Sequence, residues 1–171
     1  MKKISFRNDV LPLKNVLYRL ALRITLSNEE AEDIVQETMM KVWDRRDDWD
    51  EIENMEAFCL TICRNLSLDH IKKKGNNNEP LEQKTLFEPP DRSSNPDEQM
   101  IQKDRLELVR RLVNQLPEKQ RSCMQLRDFE GKSYKEIAHI LGITEEQVKV
   151  NIFRARQTIK QQFQEHEQYG L

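Results

Sequence analysis

The chain has 171 residues, of which 37% are hydrophobic and 34% are charged, and its formal net charge at pH 7 is −2. This length allows one or two small domains, and this composition provides apolar material only for thin cores built from helices. With 4 glycines and 6% aromatic residues, the chain lacks the turn and strand residues that a β-sandwich or β-barrel requires. Apolar residues recur at helical rather than alternating spacing, so we predict an all-α fold.

Two helices are predicted in the first quarter of the chain. An amphipathic helix covers residues 11–26, and Ser27 with Glu30 forms the capping-box pattern that begins a second helix. The second helix, NEEAEDIVQETMMKVWDRR, is predicted to bury one side, made of Ala31, Ile34, Val35, Thr38 and Val42.

The opposite side of this second helix carries a narrow arc of Asp33, Gln36, Glu37, Met40 and Asp44. A solvated acidic face is the usual explanation of such an arc. The polar and apolar groups that interrupt the acids would also suit docking onto a basic partner surface. The pattern leaves both interpretations open.

A charged loop, RRDDWDEIEN, follows the second helix and contains Trp49. A tryptophan in such a loop is either a plug at the edge of the domain or a platform on which an unpaired base stacks.

A third helix, NMEAFCLTICRNLSLDHIKKK, is predicted next. Its inner face is expected to consist of Phe58, Cys59, Ile62, Cys63 and Leu66.

The three cysteines indicate a reducing compartment. Cys59 and Cys63 lie one helical turn apart and Cys123 is remote, which is typical of thiols packed as small apolar groups. No second close pair of ligands completes a metal set with them, so we expect neither metal nor cofactor.

No apolar run approaches the ~20 residues that span a bilayer, and the basic start MKKISFRNDVLPLK lacks the apolar part of a signal peptide. We therefore expect a cytoplasmic protein without membrane insertion.

Residues 75–102 have the composition of a flexible linker. They hold four of the chain's 6 prolines and carry 6 acidic residues against 2 basic ones, a composition that excludes a packed core and a continuous helix. Leu86 and Phe87 form a small apolar island there, which either docks lightly on a domain or threads a partner's groove. The predicted organisation is two small helical domains, residues 1–74 and 103–171, joined by this linker.

The C-terminal domain has the pattern of a helix-turn-helix. Gly131 ends one helix, and Ser133 caps the next with Glu136 three residues later. Gly142 then provides a tight turn before Thr144 caps the last helix. This combination of caps and glycines is far more specific than a single glycine turn.

The last helix has an inner stripe of Val148, Ile152, Ala155 and Ile159. Its outward residues mix cations with apolar side chains, namely Lys149, Val150, Phe153, Arg154 and Arg156. In a recognition helix, cations contact phosphates or guanine edges, and apolar groups contact thymine methyls. Alternatively, Val150 and Phe153 cover another helix of the domain or a dimer partner.

Taken together, these motifs resemble the extracytoplasmic-function sigma factors of bacteria. AEDIVQETMMKVW is similar to the family's polymerase-clamp helix, which has an Asp-x-x-Gln-Glu core followed by an aromatic residue. In this chain those positions are occupied by Asp33, Gln36, Glu37 and Trp43. AFCLTICRNLSLDHIKKK is similar to the helix that handles the −10 promoter element, through Arg64, Asn65 and Asp69. LPEKQRSCMQLRDFEGKSYKEIAHILGITEEQVKVNIFRARQTI is similar nearly throughout to the −35-binding domain.

The resemblance implies a factor that binds core RNA polymerase, recognises the −35 and −10 elements and promotes promoter melting. The polymerase-binding residues that it implies are Asp33, Gln36, Glu37, Met40 and Trp43. The −10 DNA-binding residues that it implies are Trp49, Arg64, Asn65 and Lys72. The −35 DNA-binding residues that it implies are Lys149, Val150, Phe153, Arg154 and Arg156.

The same resemblance implies the partners. They are the β′ and β subunits of core RNA polymerase, double-stranded promoter DNA, the single non-template strand and an anti-sigma factor. The acidic linker would run through the RNA-exit region of the polymerase, and the family implies no enzymatic activity.

Two other classes of protein are compatible with parts of the pattern. A stand-alone helix-turn-helix regulator would bind operator DNA without polymerase, and it would have no need for the stripe of Asp33, Gln36 and Glu37. A nuclease would use Asp33, Glu37 and Asp69 as metal-binding carboxylates, but no His or Lys accompanies them and no glycine-rich phosphate loop is present.

Overall fold

The computed structural model describes residues 3–76, 87–89 and 96–169, and none of these residues lies in a β-strand. The prediction of an all-α fold is therefore confirmed. Leu86, part of the predicted apolar island, lies outside the described residues. No helix in the described part of the chain is both long and apolar enough to cross a membrane.

The chain divides into two compact units. The first comprises Met1–Pro89 with Ala138–Gly142, and the second comprises Pro90–Ile137 with Ile143–Leu171.

Three α-helices build the first unit, and each packs against the other two. They are α1 (Lys14–Thr25), α2 (Asn28–Asp44) and α3 (Met55–Asn76). Short π and 3-10 turns at Phe6–Val10 and Leu11–Leu13 precede α1, and a 3-10 turn at Arg46–Glu51 joins α2 to α3. The fully buried apolar side chains include Leu17, Leu20, Ile24, Ile34 and Leu60. Burying such a side chain contributes about 1.5–3 kcal/mol, which is the main force that holds these helices together.

The start of α2 shows how the cap at Ser27 is satisfied. The Ser27 hydroxyl accepts a hydrogen bond from the Glu30 amide at 3.3 Å, so the predicted N-cap is confirmed. The Glu30 carboxylate, however, pairs with Lys74 Nζ at 3.0 Å, and the Ser27 amide donates to the Thr25 hydroxyl at 3.4 Å. Half of the capping box is thus replaced by an ion pair that ties the start of α2 to the end of α3.

The second unit is built around a core between α4, α5 and the last helix. The helices from Pro96 onward are α4 (Pro96–Asn114), α5 (Glu118–Met124), α6 (Tyr134–Leu141) and α7 (Glu145–Tyr169), with a π turn at Gln125–Phe129. The last residues of α6, from Ala138, are counted with the first unit. The core residues are Leu112, Val113, Leu116, Met124, Ala155 and Ile159. The inward stripe predicted for α7 is confirmed, because its four members are all buried.

The turns of the helix-turn-helix follow from glycines and caps. Gly131 and Gly142 have φ values of 72° and 65°, a left-handed conformation that strains any residue with a Cβ. The Ser133 hydroxyl accepts the Glu136 amide at 3.1 Å. Thr144 and Gln147 cap each other reciprocally, with amide-to-side-chain distances of 3.1 and 2.9 Å. The predicted stops and caps are therefore confirmed.

Both helices that flank the middle of the chain extend into residues 75–102, the range predicted as linker. α3 continues through Gly75 to Asn76, and α4 already begins at Pro96. Proline is compatible with the first turn of a helix, because the amide that it lacks has no partner there. The proline that seemed to exclude a helix instead marks where one starts.

Candidate functional site

The outward side of α2 presents apolar groups among carboxylates. We define the acidic face as Asp33, Gln36, Glu37, Met40 and Trp43. Met40 is 67% exposed and Trp43 is 46% exposed, although both are large apolar side chains. The opposite side of the helix is buried as predicted, with Ala31, Ile34 and Thr38 each 0% exposed. Because the back of α2 is fixed in the core, the acidic face is held outward as one rigid surface.

Three contacts restrain this face. The guanidinium of Arg46 lies over the Trp43 ring, 4.7 Å from its centroid, and the ring of Phe6 meets Trp43 edge to face at 5.6 Å. Glu37, which is partly exposed, lies 3.8 Å from Nε2 of His70 on α3. These contacts orient Trp43 and Glu37, while Asp33 and Gln36 remain exposed.

Trp49 does not offer a free ring surface. It is 6% exposed, its indole N–H donates to the Val42 carbonyl at 3.0 Å, and the ring of Phe6 stacks on it at 6.5 Å and 14°. Of the two interpretations that the sequence leaves open, this geometry supports the plug, because a base cannot stack on a covered ring. Phe6 was missed at the sequence level, since nothing in its local pattern marks it as a partner of two distant tryptophans.

A polar strip runs along the outer side of α3. Asn65, Asp69 and Lys72 are exposed and stand at i, i+4 and i+7, so they share one face. Arg64 is half-buried, and its Nε makes no hydrogen bond within the part of the chain that the structure describes. Three of the four residues assigned to the −10 element therefore lie on or beside this strip.

The outward side of α7 reverses the sign of the charges. We define the basic face as Lys149, Val150, Phe153 and Arg154, all of which are exposed. Val150 is 45% exposed and Phe153 is 62% exposed, so neither covers another helix of the described chain. An open cavity of about 450 Å³ lies beside this face, lined in part by Tyr134, Lys149 and Phe153.

Arg156 is held by a residue that the sequence patterns did not indicate. Its Nε donates to one oxygen of Asp128 at 3.1 Å and its Nη2 donates to the other, a bidentate pair between residues 28 positions apart. These hydrogen bonds raise the pKa of Arg156 above its usual value. Two cations lie over the ring of nearby Tyr134, Arg127 at 4.6 Å and Lys149 at 5.8 Å from its centroid. No spacing in the sequence connects Asp128 with Arg156, since the fold alone brings them together.

The cysteines behave as packing groups. Cys59, Cys63 and Cys123 are free thiols and are buried. Burial raises the pKa of both Cys59 and Cys63 to about 12. Since the thiolate is the nucleophile and the metal ligand, these thiols are unreactive at neutral pH.

Two protein-family models match the chain. The model described as Sigma-70 region 2 matches residues 10–77, and the model described as Sigma-70, region 4 matches residues 106–159. The acidic face and the polar strip of α3 lie within the first range, and the basic face lies within the second.

Comparison with known proteins points the same way. The chain is 32% identical over 151 residues to the ECF RNA polymerase sigma factor SigL of Mycobacterium tuberculosis, a match that covers 88% of this chain and 84% of SigL. It is 31% identical to SigE of Mycolicibacterium smegmatis, with 88% of this chain covered but only 58% of SigE. In fold it is similar to the Bartonella quintana sigma factor RpoE, solved in complex with the anti-sigma factor NepR. That likeness has a TM-score of 0.76 and 24% identity over 93% of this chain and 96% of RpoE.

Proposed function

This chain belongs to the extracytoplasmic-function sigma factors, which are transcription-initiation factors, and we propose that its exposed faces divide the work of initiation among them. The acidic face binds core RNA polymerase, the polar strip of α3 handles the −10 element, and the basic face reads the −35 element. The observation that carries this proposal is that Met40, Trp43, Val150 and Phe153 stay exposed on helices whose opposite sides are buried.

The acidic face suits a basic protein surface. Exposed apolar anchors at the centre of a charged rim are the usual composition of a binding site, and the sign of the rim selects the partner. Met40 and Trp43 supply the anchors, while Asp33 and Glu37 supply the negative charge. We assign this surface to the polymerase β′ subunit, with further contacts of the protein on the β subunit.

The polar strip of α3 suits an unpaired base of the non-template strand. Asn65 can donate and accept hydrogen bonds at a base edge, and Lys72 provides a cation for the adjacent phosphate. Because the Trp49 ring is covered, we propose that Trp49 supports the structure of its loop and does not stack on a base. Capturing a flipped base offsets the few kcal/mol of unstacking and so promotes melting.

This assignment of Asn65 separates two steps of initiation. Asn65→Ala is expected to reduce the yield of open complexes, read with a single-strand-specific probe, while the initial binding of promoter duplex is retained. A comparable loss in both steps would count against base capture.

The basic face suits the major groove of the −35 element. Arg154 has the geometry for a guanine edge, and the apolar Val150 and Phe153 can contact thymine methyls. Lys149 contacts the backbone, and Arg156, once it leaves or shares Asp128, can do the same. A stand-alone regulator would use only this basic face to bind DNA. It would leave the acidic face without a function.

Other partners and properties follow from the family. We propose that an anti-sigma factor covers the exposed faces when the protein is inactive, as NepR accompanies RpoE in the similar complex. We further propose that the protein acts in the cytoplasm, where its polymerase is, and that it has no catalytic activity of its own.

The test is the formation of a complex with core polymerase. Purified protein and core enzyme are mixed under reducing conditions, and the complex is resolved by size-exclusion chromatography with and without promoter duplex. The proposal expects a 1:1 complex that forms without DNA, whereas a stand-alone regulator binds duplex and leaves core polymerase free.

A further inference from the structure

A short segment of the predicted linker is bound to the first unit. The side-chain amide of Asn28, in the first turn of α2, donates from Nδ2 to the Phe87 carbonyl at 2.8 Å. Its Oδ1 accepts the Phe87 amide N–H at 3.3 Å. The same Nδ2 donates to the Tyr18 hydroxyl at 2.7 Å, which fixes the orientation of the amide group. One side chain thus satisfies both backbone groups of a residue 59 positions away.

The next two residues complete the contact. The carboxylate of Glu88 forms an ion pair with the guanidinium of Arg23 on α1. Arg23 is 0% exposed and the Glu88 side chain is 7% exposed, so the pair is shielded from solvent. Pro89 is buried as well. Such a shielded, hydrogen-bonded pair is costly to break, because separation leaves a buried charge without one of its partners.

The ring of Phe87 takes little part in this contact, since it is 72% exposed. Of the two interpretations given for the apolar island, docking on a domain is therefore supported at Phe87, but for a polar reason. In the first unit, Asn28 hydrogen-bonds the backbone of the segment and Arg23 pairs with its carboxylate. This combination selects a segment whose backbone amide and carbonyl are free to pair and which carries an acidic residue next to them, as Phe87 and Glu88 do.

We propose that Arg23, Asn28 and Tyr18 form a latch site for the chain's own linker, occupied by Phe87–Pro89. The latch attaches the chain to the first unit as far as Pro89 and leaves residues 90–95 as the covalent tether between Pro89 and α4. Six residues span at most about 20 Å, whereas the 19 residues from 77 to 95 span at most about 65 Å. The latch therefore shortens the length of free chain between the first unit and α4, and this consequence does not depend on the proposed function.

Hydrogen exchange at the Phe87 amide tests the latch directly in the full-length protein. The amide is expected to be protected in the native chain. Asn28→Ala is expected to speed its exchange about tenfold, the upper range for loss of one net hydrogen bond. Asn15→Ala, at an exposed position of α1, is the matched control and leaves the rate unchanged. An unprotected Phe87 amide in the native chain, or no change in Asn28→Ala, overturns the latch.

Glu88→Gln provides a second variant that leaves all three helices of the first unit intact. It keeps the size of the side chain but removes the charge opposite Arg23, so faster exchange at Phe87 is again expected. Glu32→Gln, at an exposed position of α2, is its control. Unchanged protection in Glu88→Gln contradicts the role assigned to the ion pair.

The tether is tested by the distribution of distances between two spin labels. Lys14→Cys and Gln161→Cys place one label on an exposed position of each unit, while the native thiols are buried. Combining these with Glu88→Gln and Asn28→Ala is expected to broaden the distribution and extend its long-distance side. An identical distribution with and without the latch residues overturns the tether claim. Neither measurement involves polymerase or DNA, so failure here is distinct from failure of the proposed function.

Discussion

The outer faces of α2 and α7 are built alike and differ in the sign of their charge. Each helix buries one side in a core and exposes two large apolar side chains on the other, Met40 and Trp43 on α2, Val150 and Phe153 on α7. Within the acidic face the charged residues are Asp33 and Glu37, with Arg46 over Trp43, and within the basic face they are Lys149 and Arg154, with Glu146 one turn before Val150. Exposed apolar residues identify a binding surface, but the sign of the neighbouring charge identifies the class of partner.

The two faces also differ in how they are supported. Trp43 is oriented by Arg46 and Phe6, which are close to it in the first unit. Near the basic face, Arg156 is held by Asp128, and Arg127 and Lys149 both lie over the ring of Tyr134. Both faces are thus positioned before any partner arrives, which lowers the entropic cost of binding.

Reversing the charge of the acidic face is expected to have the largest effect. Asp33→Lys combined with Glu37→Lys places cations against a basic partner, where like-charge contacts cost several kcal/mol, so affinity for core polymerase should fall at least about 100-fold. Competition binding with labelled protein measures the loss. Glu165→Lys, at an exposed position near the end of α7, is the control. Unchanged core affinity in the double variant would refute the docking role.

Removing one cation of the basic face is expected to have the next largest effect. Arg154→Ala should cost about 1–3 kcal/mol in binding to the −35 duplex and should relax the preference at one base position. Affinity for a set of duplexes with single substitutions measures both quantities, and Arg105→Ala, exposed on α4, serves as control. A loss that is equal for all sequences would make Arg154 a phosphate contact only.

Exposed apolar anchors allow a crossed test of the two faces. Met40→Ala should lower core affinity and Phe153→Ala should lower −35 affinity, each by about 1–2 kcal/mol, while each leaves the other affinity unchanged. Because both side chains are exposed, the free energy of unfolding should change by less than about 0.5 kcal/mol. Urea unfolding checks that condition. A Phe153→Ala variant that loses stability instead would show that the ring packs against protein.

Loosening the support of Arg156 is expected to have the smallest effect. Asp128→Asn removes the charge of a partly exposed bidentate pair, so stability should fall by about 0.2–1 kcal/mol. The salt dependence of DNA binding should stay as in the native chain, whereas Arg156→Ala should reduce its slope by about one unit if Arg156 grips a phosphate. If Arg156→Ala does not change the slope of the salt dependence, Arg156 makes no phosphate contact and its role is structural, through its pair with Asp128.

The helices and their caps could be predicted because they depend on local rules. The buried side of α2, the stripe of α7 and the glycine stops at Gly131 and Gly142 all follow from spacing and backbone preference. The outward position of Val150 and Phe153 follows from the same spacing.

Contacts between distant residues could not be predicted in this way. The Phe6 ring over Trp49, the Asp128 carboxylate on Arg156 and the Asn28 amide on Phe87 join positions that share no periodic pattern. Each depends on how helices and loops meet, which a single sequence does not encode locally. The sequence also did not predict that α4 begins at Pro96, and the reason is different: proline ends some helices and begins others.

Transcription from a randomised promoter library tests most directly that one chain combines a polymerase-binding face with a DNA-reading face. Core polymerase with the native protein is expected to yield transcripts that share two conserved upstream elements. The Asp33→Lys, Glu37→Lys variant should yield none, and Phe153→Ala should weaken selection at the upstream element alone. Failure of the native protein to associate with core polymerase, or transcripts without any shared element, would contradict the account.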